Sequence, residues 1–170
     1  MTRWYPLAES DDDFLCYAEF RFAHTVEVPV AAEHVWAAFS ADDALVSFSR
    51  SITAAEWTSP RPFGVGTTRT VTVGHGAASL RERFYRWDGE SRMTFTVDAA
   101  NRPGLRRFAE DVALEPIAGG TRFTWTFAVE PGPGLAPVLA ASRPLLLKAT
   151  RGFAEGAARR AESGARGGAR

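Results

Sequence analysis

The sequence predicts an α+β fold in which an antiparallel sheet wraps around one long C-terminal helix. From residue 135 to about residue 162, apolar residues recur at helical spacing and most charged residues fall elsewhere, which is typical of an amphipathic helix. From residue 20 to residue 130, the chain instead consists mainly of short alternating stretches separated by turn-forming residues. A helix with one apolar face and a sheet with one apolar face bury those surfaces most simply against each other.

The strand-rich region begins with Phe20 to Val28, where apolar and polar side chains alternate until Pro29. Apolar residues at helical spacing then predict two short helices, over residues 31–40 and 42–48. Six further strands are expected at residues 52–58, 67–73, 78–87, 91–98, 106–115 and 121–130. Five of these strands follow one another through tight turns, so they predict an antiparallel meander.

The C-terminal helix is expected to turn one broad face towards the sheet. That face carries Leu135, Val138, Leu139, Ser142, Leu145, Leu146, Ala149 and Phe153. Ser142, Ala149, Gly152 and Gly156 are small for core positions, so we expect open space between the helix and the sheet. Pro144 lies in the middle of the segment and predicts either a kink or a division into two helices.

The chain is expected to form one domain over residues 20–162, flanked by two shorter segments. Residues 1–19 form an N-terminal arm with an aromatic cluster, an acidic turn at residues 9–13 and a second apolar stretch. This arm either docks on the surface of the domain or acts as a lid over a cavity. Residues 163–170 are rich in glycine and are expected to be a disordered tail.

Composition excludes several classes of function. Twenty basic and twenty acidic residues give no net charge, which argues against a partner made of nucleic acid. Cys16 is the only cysteine, no apolar run is long enough to span a membrane, and the N-terminus lacks the core of a signal peptide, so we expect a cytoplasmic protein. The histidines lack metal-binding spacing, and phosphate-loop and GxSxG motifs are absent. We therefore expect no metal and no cofactor. The sequence does not distinguish a monomer from a dimer.

Four short motifs add a resemblance to this fold prediction. They are residues 26–29 leading into 31–36, the turn at 64–67, the pair Glu82-Arg83, and the turn at 119–122 leading into Trp125. In this order they resemble the helix-grip (START-like, SRPBCC) superfamily, which includes START lipid-transfer domains, pollen allergens and polyketide cyclase/dehydrase-like proteins. The resemblance covers residues 20–162. It implies a curved seven-stranded sheet that grips the helix, with an apolar cavity between them.

Three ionisable residues fall in register with apolar side chains and are candidates for acid–base chemistry. Glu82 shares a strand face with Leu80 and Phe84, and Glu110 shares one with Phe108. His24 is in register with its apolar neighbours in the first strand. Burial raises the pKa of a carboxyl group, so such a residue could act as an acid or a base.

The alternative is a structural role for these three residues. Arg81, Arg83 or Arg106 could neutralise either glutamate in an ion pair. The inward face of the fourth strand is also ambiguous, because Tyr85 and Trp87 are out of phase with Glu82.

Candidate ligand contacts come from the aromatic and apolar residues that would face the grip. They are Trp36, Phe63, Phe84, Phe95, Phe108, Trp125, Phe127, Leu139, Leu146 and Phe153. The aromatic residues of the last strand have two interpretations that overlap, as core contacts for the helix and as cavity lining.

The sequence supports three functions. The first is a carrier or sensor that binds a small hydrophobic molecule, such as a lipid, a polyketide or an aromatic metabolite, without converting it. The second is a cyclase, aromatase or dehydratase that uses Glu82, Glu110 or His24 as acid or base. The third is a protein-interaction module in which the cavity is vestigial.

Overall fold

The computed structural model describes residues 2–168, which form eight strands and three helices. The strands are β1 (Tyr5–Pro6), β2 (Phe20–Val28), β3 (Ile52–Trp57), β4 (Thr68–Val73), β5 (Ala78–Asp88), β6 (Arg92–Ala100), β7 (Leu105–Ile117) and β8 (Gly120–Pro131). The helices are α1 (Asp12–Tyr17), α2 (Ala32–Ser40) and α3 (Ala136–Gly168).

Seven of these strands form one curled antiparallel sheet in the order β2-β8-β7-β6-β5-β4-β3. The strands from β3 to β8 pair consecutively as a meander, and β2 pairs along its whole length with β8, from Phe20 opposite Val129 to Val28 opposite Thr121. The long helix α3 packs against β2, β8 and α2, on the concave face of the sheet. The predicted helix-grip fold is therefore confirmed.

Only one of the two short helices expected after the first long strand is formed. Residues 42–48 are a series of turns, with backbone hydrogen bonds whose spacing varies between two and four residues. Leu45 has a φ angle of 69°, which lies in the left-handed region and cannot continue a right-handed helix. This conformation buries the Leu45 side chain in the core.

The N-terminal arm is docked on the sheet. Its acidic stretch begins helix α1, because the Asp11 side chain accepts a hydrogen bond from the backbone N–H of Phe14 at 2.9 Å. Phe14 and Leu15 pack against Ala109 and Ala128. These two alanines alternate with side chains that face α3, so α1 covers the convex face of the sheet.

The first part of the arm fills a gap between β6 and β7, which pair with each other only as far as Thr96 and Ala109. Beyond that point, the Leu7 N–H donates to the carbonyl of Asp98 in β6, and the Ala8 N–H donates to the carbonyl of Arg106 in β7. Residues 5–8 therefore bridge the two strands, and the arm completes that part of the sheet.

Helix α3 is continuous from Ala136 to Gly168, so Pro144 does not divide it into two helices. It also extends past the predicted end at residue 162, and residues 163–168 are helical where we expected a disordered tail. The extension is supported by an ion pair between Arg166 and Glu162 at 3.7 Å, one helical turn apart. Residues 169–170 of the predicted tail lie outside the described residues.

The buried face of α3 differs from the predicted face. Val138 and Leu145, which were expected to face the sheet, are 55% and 69% exposed, whereas Leu139, Leu146 and Phe153 do pack against the core. Neighbouring residues in a helix point about 100° apart, so a helix that turns Leu146 inward carries Leu145 outward. The fully packed part of α3 comes later and consists of Thr150, Ala154, Gly156, Ala157, Ala158 and Ala161.

A close backbone contact, and not the expected cavity, explains why a glycine stands at position 156. A Cβ atom at this position would overlap the carbonyl oxygen of Phe48, so the missing side chain lets the backbone before β3 approach the helix. We expect Gly156→Ala to lower the free energy of unfolding by about 1–3 kcal/mol through overpacking. Gly152→Ala is the matched control, because its Cβ would meet nothing within 4 Å.

The control should raise the free energy of unfolding by about 0.5–1 kcal/mol, since alanine favours a helix more than glycine does. Urea denaturation monitored by circular dichroism measures both changes. Equal effects of the two substitutions would show that the Phe48 backbone does not limit the space at Gly156.

Candidate ligand-binding cavity

An apolar cavity of about 280 Å³ lies between the concave face of the sheet and the first half of α3. Six of the ten residues predicted to contact a ligand line it: Phe108, Trp125, Phe127, Leu139, Leu146 and Phe153. The wall also contains side chains that were not predicted, from β2, β3, β4 and the turn after α2, namely Phe20, Phe22, Leu45, Ile52, Val71 and Val73. Leu105 and Ala149 line it as well, and Ala149 is an exposed position of α3.

The other four predicted contacts do not line this cavity. Phe84 and Phe95 are buried in an aromatic cluster, where their ring centroids are 5.1 Å apart. Trp36 and Phe63 instead line a shallow surface hollow. All four belong to the end of the grip near α2, where aromatic rings pack closely, and the open space is at the other end.

A β-bulge explains why the aromatic end of the grip is closely packed. The pairing of β5 with β6 shifts between Phe84 and Arg86, so the alternation of β5 changes phase there. Both Glu82 and Phe84 before the bulge and Trp87 after it then face the interior, and Trp87 packs against Phe84 with ring centroids 5.0 Å apart. The bulge resolves the ambiguity in the predicted inward face of this strand.

Glu82 lines the cavity and is paired with Arg69, a partner that the sequence analysis did not propose. The Arg69 Nε and Nη2 atoms both donate to Oε2 of Glu82, at 2.8 Å and 2.6 Å, and both side chains are only 2% exposed. The proposed partner Arg83 binds Asp98 and Glu9 on the convex side instead. The sequence could have indicated that Arg69 faces inward, because it shares an apolar strand face with Val71 and Val73.

The Arg69 guanidinium lies behind the carboxylate, among aromatic rings. Its central carbon is 4.9 Å from the ring centroid of Trp57 and 5.3 Å from those of Phe84 and Phe95. Burial raises the pKa of Glu82, and the charge of Arg69 opposes that shift. Since an arginine stays charged in a protein, we assign Glu82 as its ionised partner.

Glu110 also lines the cavity, and its environment favours the protonated form. Burial raises its pKa well above the usual range, and the nearby negative charge of Glu82 adds to the shift. Its Oε2 atom accepts a hydrogen bond from the indole Nε1–H of Trp125 at 2.8 Å. The structure therefore brings together two carboxyl groups on the same wall, Glu82 paired with a cation and Glu110 without one, and burial favours the neutral form of Glu110.

His24 is not part of the cavity lining. Its Nε2 atom lies 2.8 Å from Oγ1 of Thr150, and that hydroxyl group donates to the carbonyl of Leu146 at 2.8 Å. We assign the hydroxyl proton to this bond, so that His24 donates through an Nε2–H. Burial and the charge of Arg151 lower the pKa of His24, which favours this neutral form and a role in fastening β2 to α3.

The described residues include no group of three or more histidine, cysteine, aspartate or glutamate side chains placed to hold a metal ion. What the site offers is an apolar chamber with two carboxyl groups at one wall. Such a chamber can bury an apolar molecule, and the neutral carboxyl group can donate a hydrogen bond or a proton.

The chain matches a known protein family over most of its length. The family model for "Polyketide cyclase / dehydrase and lipid transport" matches residues 19–162. The chain is also 34% identical over 149 residues to the uncharacterized protein Rv2574 of Mycobacterium tuberculosis. The aligned region covers 88% of this chain and 89% of that relative.

Two solved structures show the same fold at low sequence identity. The protein TTHA0849 from Thermus thermophilus superimposes with a TM-score of 0.69 at 17% identity, over 85% of this chain and 98% of that one. A START superfamily protein from Mycobacterium smegmatis gives a TM-score of 0.58, also at 17% identity, over 79% and 97% of the two chains. Within residues 2–168, each helix is too short or too polar to cross a bilayer.

Proposed function

The chain belongs to the polyketide cyclase/dehydrase and lipid transport family, and on that premise we propose that it carries or senses a small hydrophobic molecule held in the cavity. The observation that carries the proposal is an apolar chamber of about 280 Å³ in a region that a plain structural core would fill. A ligand of similar size would gain about 25 cal/mol for each Å² of apolar surface that it buries.

Two neighbouring leucines of α3 provide a matched test of this proposal. Leu146 lines the cavity, whereas Leu147 is 50% exposed and does not. We expect Leu146→Trp to fill the chamber and to weaken binding of the neutral fluorescent probe N-phenyl-1-naphthylamine at least tenfold. Leu147→Trp adds the same group outside the chamber and should leave the affinity unchanged.

Fluorescence titration measures both affinities, and native mass spectrometry of freshly purified protein shows whether an apolar molecule accompanies it. The proposal fails if the probe does not bind the unmodified chain, or if both tryptophan variants bind it as well as the unmodified chain does.

A second candidate function rests on Glu110. A carboxyl group kept protonated beside an ionised one, in an apolar chamber, is suited to general-acid catalysis of a cyclisation or a dehydration. If a co-purified molecule is converted by the protein, Glu110→Gln should keep its binding but slow its conversion by about 10²-fold or more. Unchanged conversion in both Glu110→Gln and Glu82→Gln would exclude this candidate.

A further inference from the structure

The cavity wall carries few polar groups. Among the lining residues, only Glu82, Glu110 and Thr150 carry polar side-chain atoms besides the indole of Trp125. None of the lining residues carries a positive charge, because the Arg69 guanidinium lies behind Glu82 and binds it with two N–H groups. A ligand in the chamber therefore meets two carboxyl groups and no cation.

Nearly every hydrogen-bond donor of this wall already has a protein acceptor. The indole N–H of Trp125 donates to Oε2 of Glu110, and the hydroxyl of Thr150 donates to the carbonyl of Leu146. The carboxyl proton of Glu110 is different. We assign this proton to Oε1, because Oε2 accepts from Trp125 and Oε1 makes no hydrogen bond within residues 2–168. Among the lining residues, this leaves the Glu110 carboxyl group as the one O–H donor without a protein acceptor.

We propose that the cavity selects an uncharged apolar molecule with one oxygen acceptor, such as a ketone or ester oxygen, which receives a hydrogen bond from the Glu110 carboxyl group, and that it rejects carboxylates. The inference rests on the proposed binding function and specifies its ligand class. A carboxylate would bring a second negative charge towards Glu82 in a site with no free cation, and it would lose its hydration there. A ketone satisfies the Glu110 donor and adds no charge.

Three ligands with the same carbon count separate these effects: octane, 2-octanone and octanoate. Each competes at pH 7.5 with N-phenyl-1-naphthylamine bound to the unmodified full-length chain. We expect 2-octanone to displace the probe at concentrations at least tenfold lower than octanoate requires. Equal or better competition by octanoate overturns the inference while leaving the binding function intact. If the probe binds and none of the three ligands displaces it, the inference also fails.

Two variants of Glu110 test the donor itself. Glu110→Leu removes the O–H and should reduce the affinity ratio of 2-octanone to octane about fivefold, which corresponds to one ordinary hydrogen bond. Glu110→Gln keeps an acceptor for Trp125 and offers an N–H in place of the O–H, so its ratio should stay near that of the unmodified chain. An unchanged ratio in Glu110→Leu would overturn the assigned hydrogen bond. If that variant does not fold, the comparison of ketone with carboxylate on the unmodified chain still decides the inference.

Discussion

Arg69→Met should lower the free energy of unfolding by about 3–5 kcal/mol, because it leaves the Glu82 carboxylate buried without its partner. Both side chains are 2% exposed, and both N–H groups that Arg69 gives to Glu82 are within 2.8 Å of Oε2. Methionine retains much of the apolar stem of arginine but supplies no charge and no donor. Urea denaturation at pH 7 measures the change.

The double variant Arg69→Met/Glu82→Met separates the cost of an unpaired charge from the loss of contacts. It removes both charges at once and should recover most of the lost free energy, because a buried ion pair is often no better than apolar residues of similar volume. Arg122→Met is the surface control. It removes a guanidinium that also binds two carboxylates but is exposed to solvent, so it should change stability little. A double variant as unstable as the single one would show that Arg69 acts mainly through its aromatic contacts.

Glu110→Gln should remove a specific dependence of stability on pH. Burial holds the pKa of Glu110 well above the usual range in the folded chain, whereas in the unfolded chain it is about 4.3. Between these two values, the folded state keeps a proton that the unfolded state has released. The unfolded state thus binds fewer protons, so the free energy of unfolding falls as the pH rises through this window, by up to about 1.4 kcal/mol per pH unit.

Glutamine has no such proton, and it keeps an oxygen that can accept from Trp125. Above the pKa of the unfolded carboxyl group, the stability of Glu110→Gln should therefore rise relative to that of the unmodified chain as the pH increases, by at most about 1.4 kcal/mol per pH unit. Urea denaturation at several pH values measures this difference. Glu56→Gln, at an exposed position of β3, is the control substitution. Parallel stability curves for Glu110→Gln and the unmodified chain would contradict a protonated Glu110.

The fold could be predicted from local patterns because each of its elements has a clear period. The alternation in β2 and in the middle of β8 continues without interruption, so the pairing of Phe22 with Phe127 follows from their shared face. In β5 the alternation is broken by a bulge, and period-two reasoning cannot tell on which side of it the phase changes. The sequence could suggest that Glu82 faces inward, but only the pairing with β6 establishes it.

The candidate site was less predictable because it depends on contacts between distant segments. Arg69 and Glu82 are paired across β4 and β5, opposite each other in the ladder, so a correct register of these two strands would have revealed the ion pair. Gly156 looked like cavity space, but the backbone of Phe48 occupies that space. Trp36 looked like cavity lining, but its ring packs nearly perpendicular to that of Trp87, with centroids 5.2 Å apart. Helical or strand periodicity contains no information on such neighbours.

The arm that bridges β6 and β7 also affects the order of events during synthesis. Its Ser10 donates through its N–H to Oγ1 of Thr96, 86 residues later, and through its hydroxyl to the carbonyl of Phe108, 98 residues later. At translation rates of about 5–20 residues per second, these partners are made roughly 5–20 seconds after the arm. The arm leaves the ribosome well before the strands that it joins, and it must stay unpaired until they have formed. The arm is thus synthesised before β6 and β7 and gains its contacts with them only after both strands have been made.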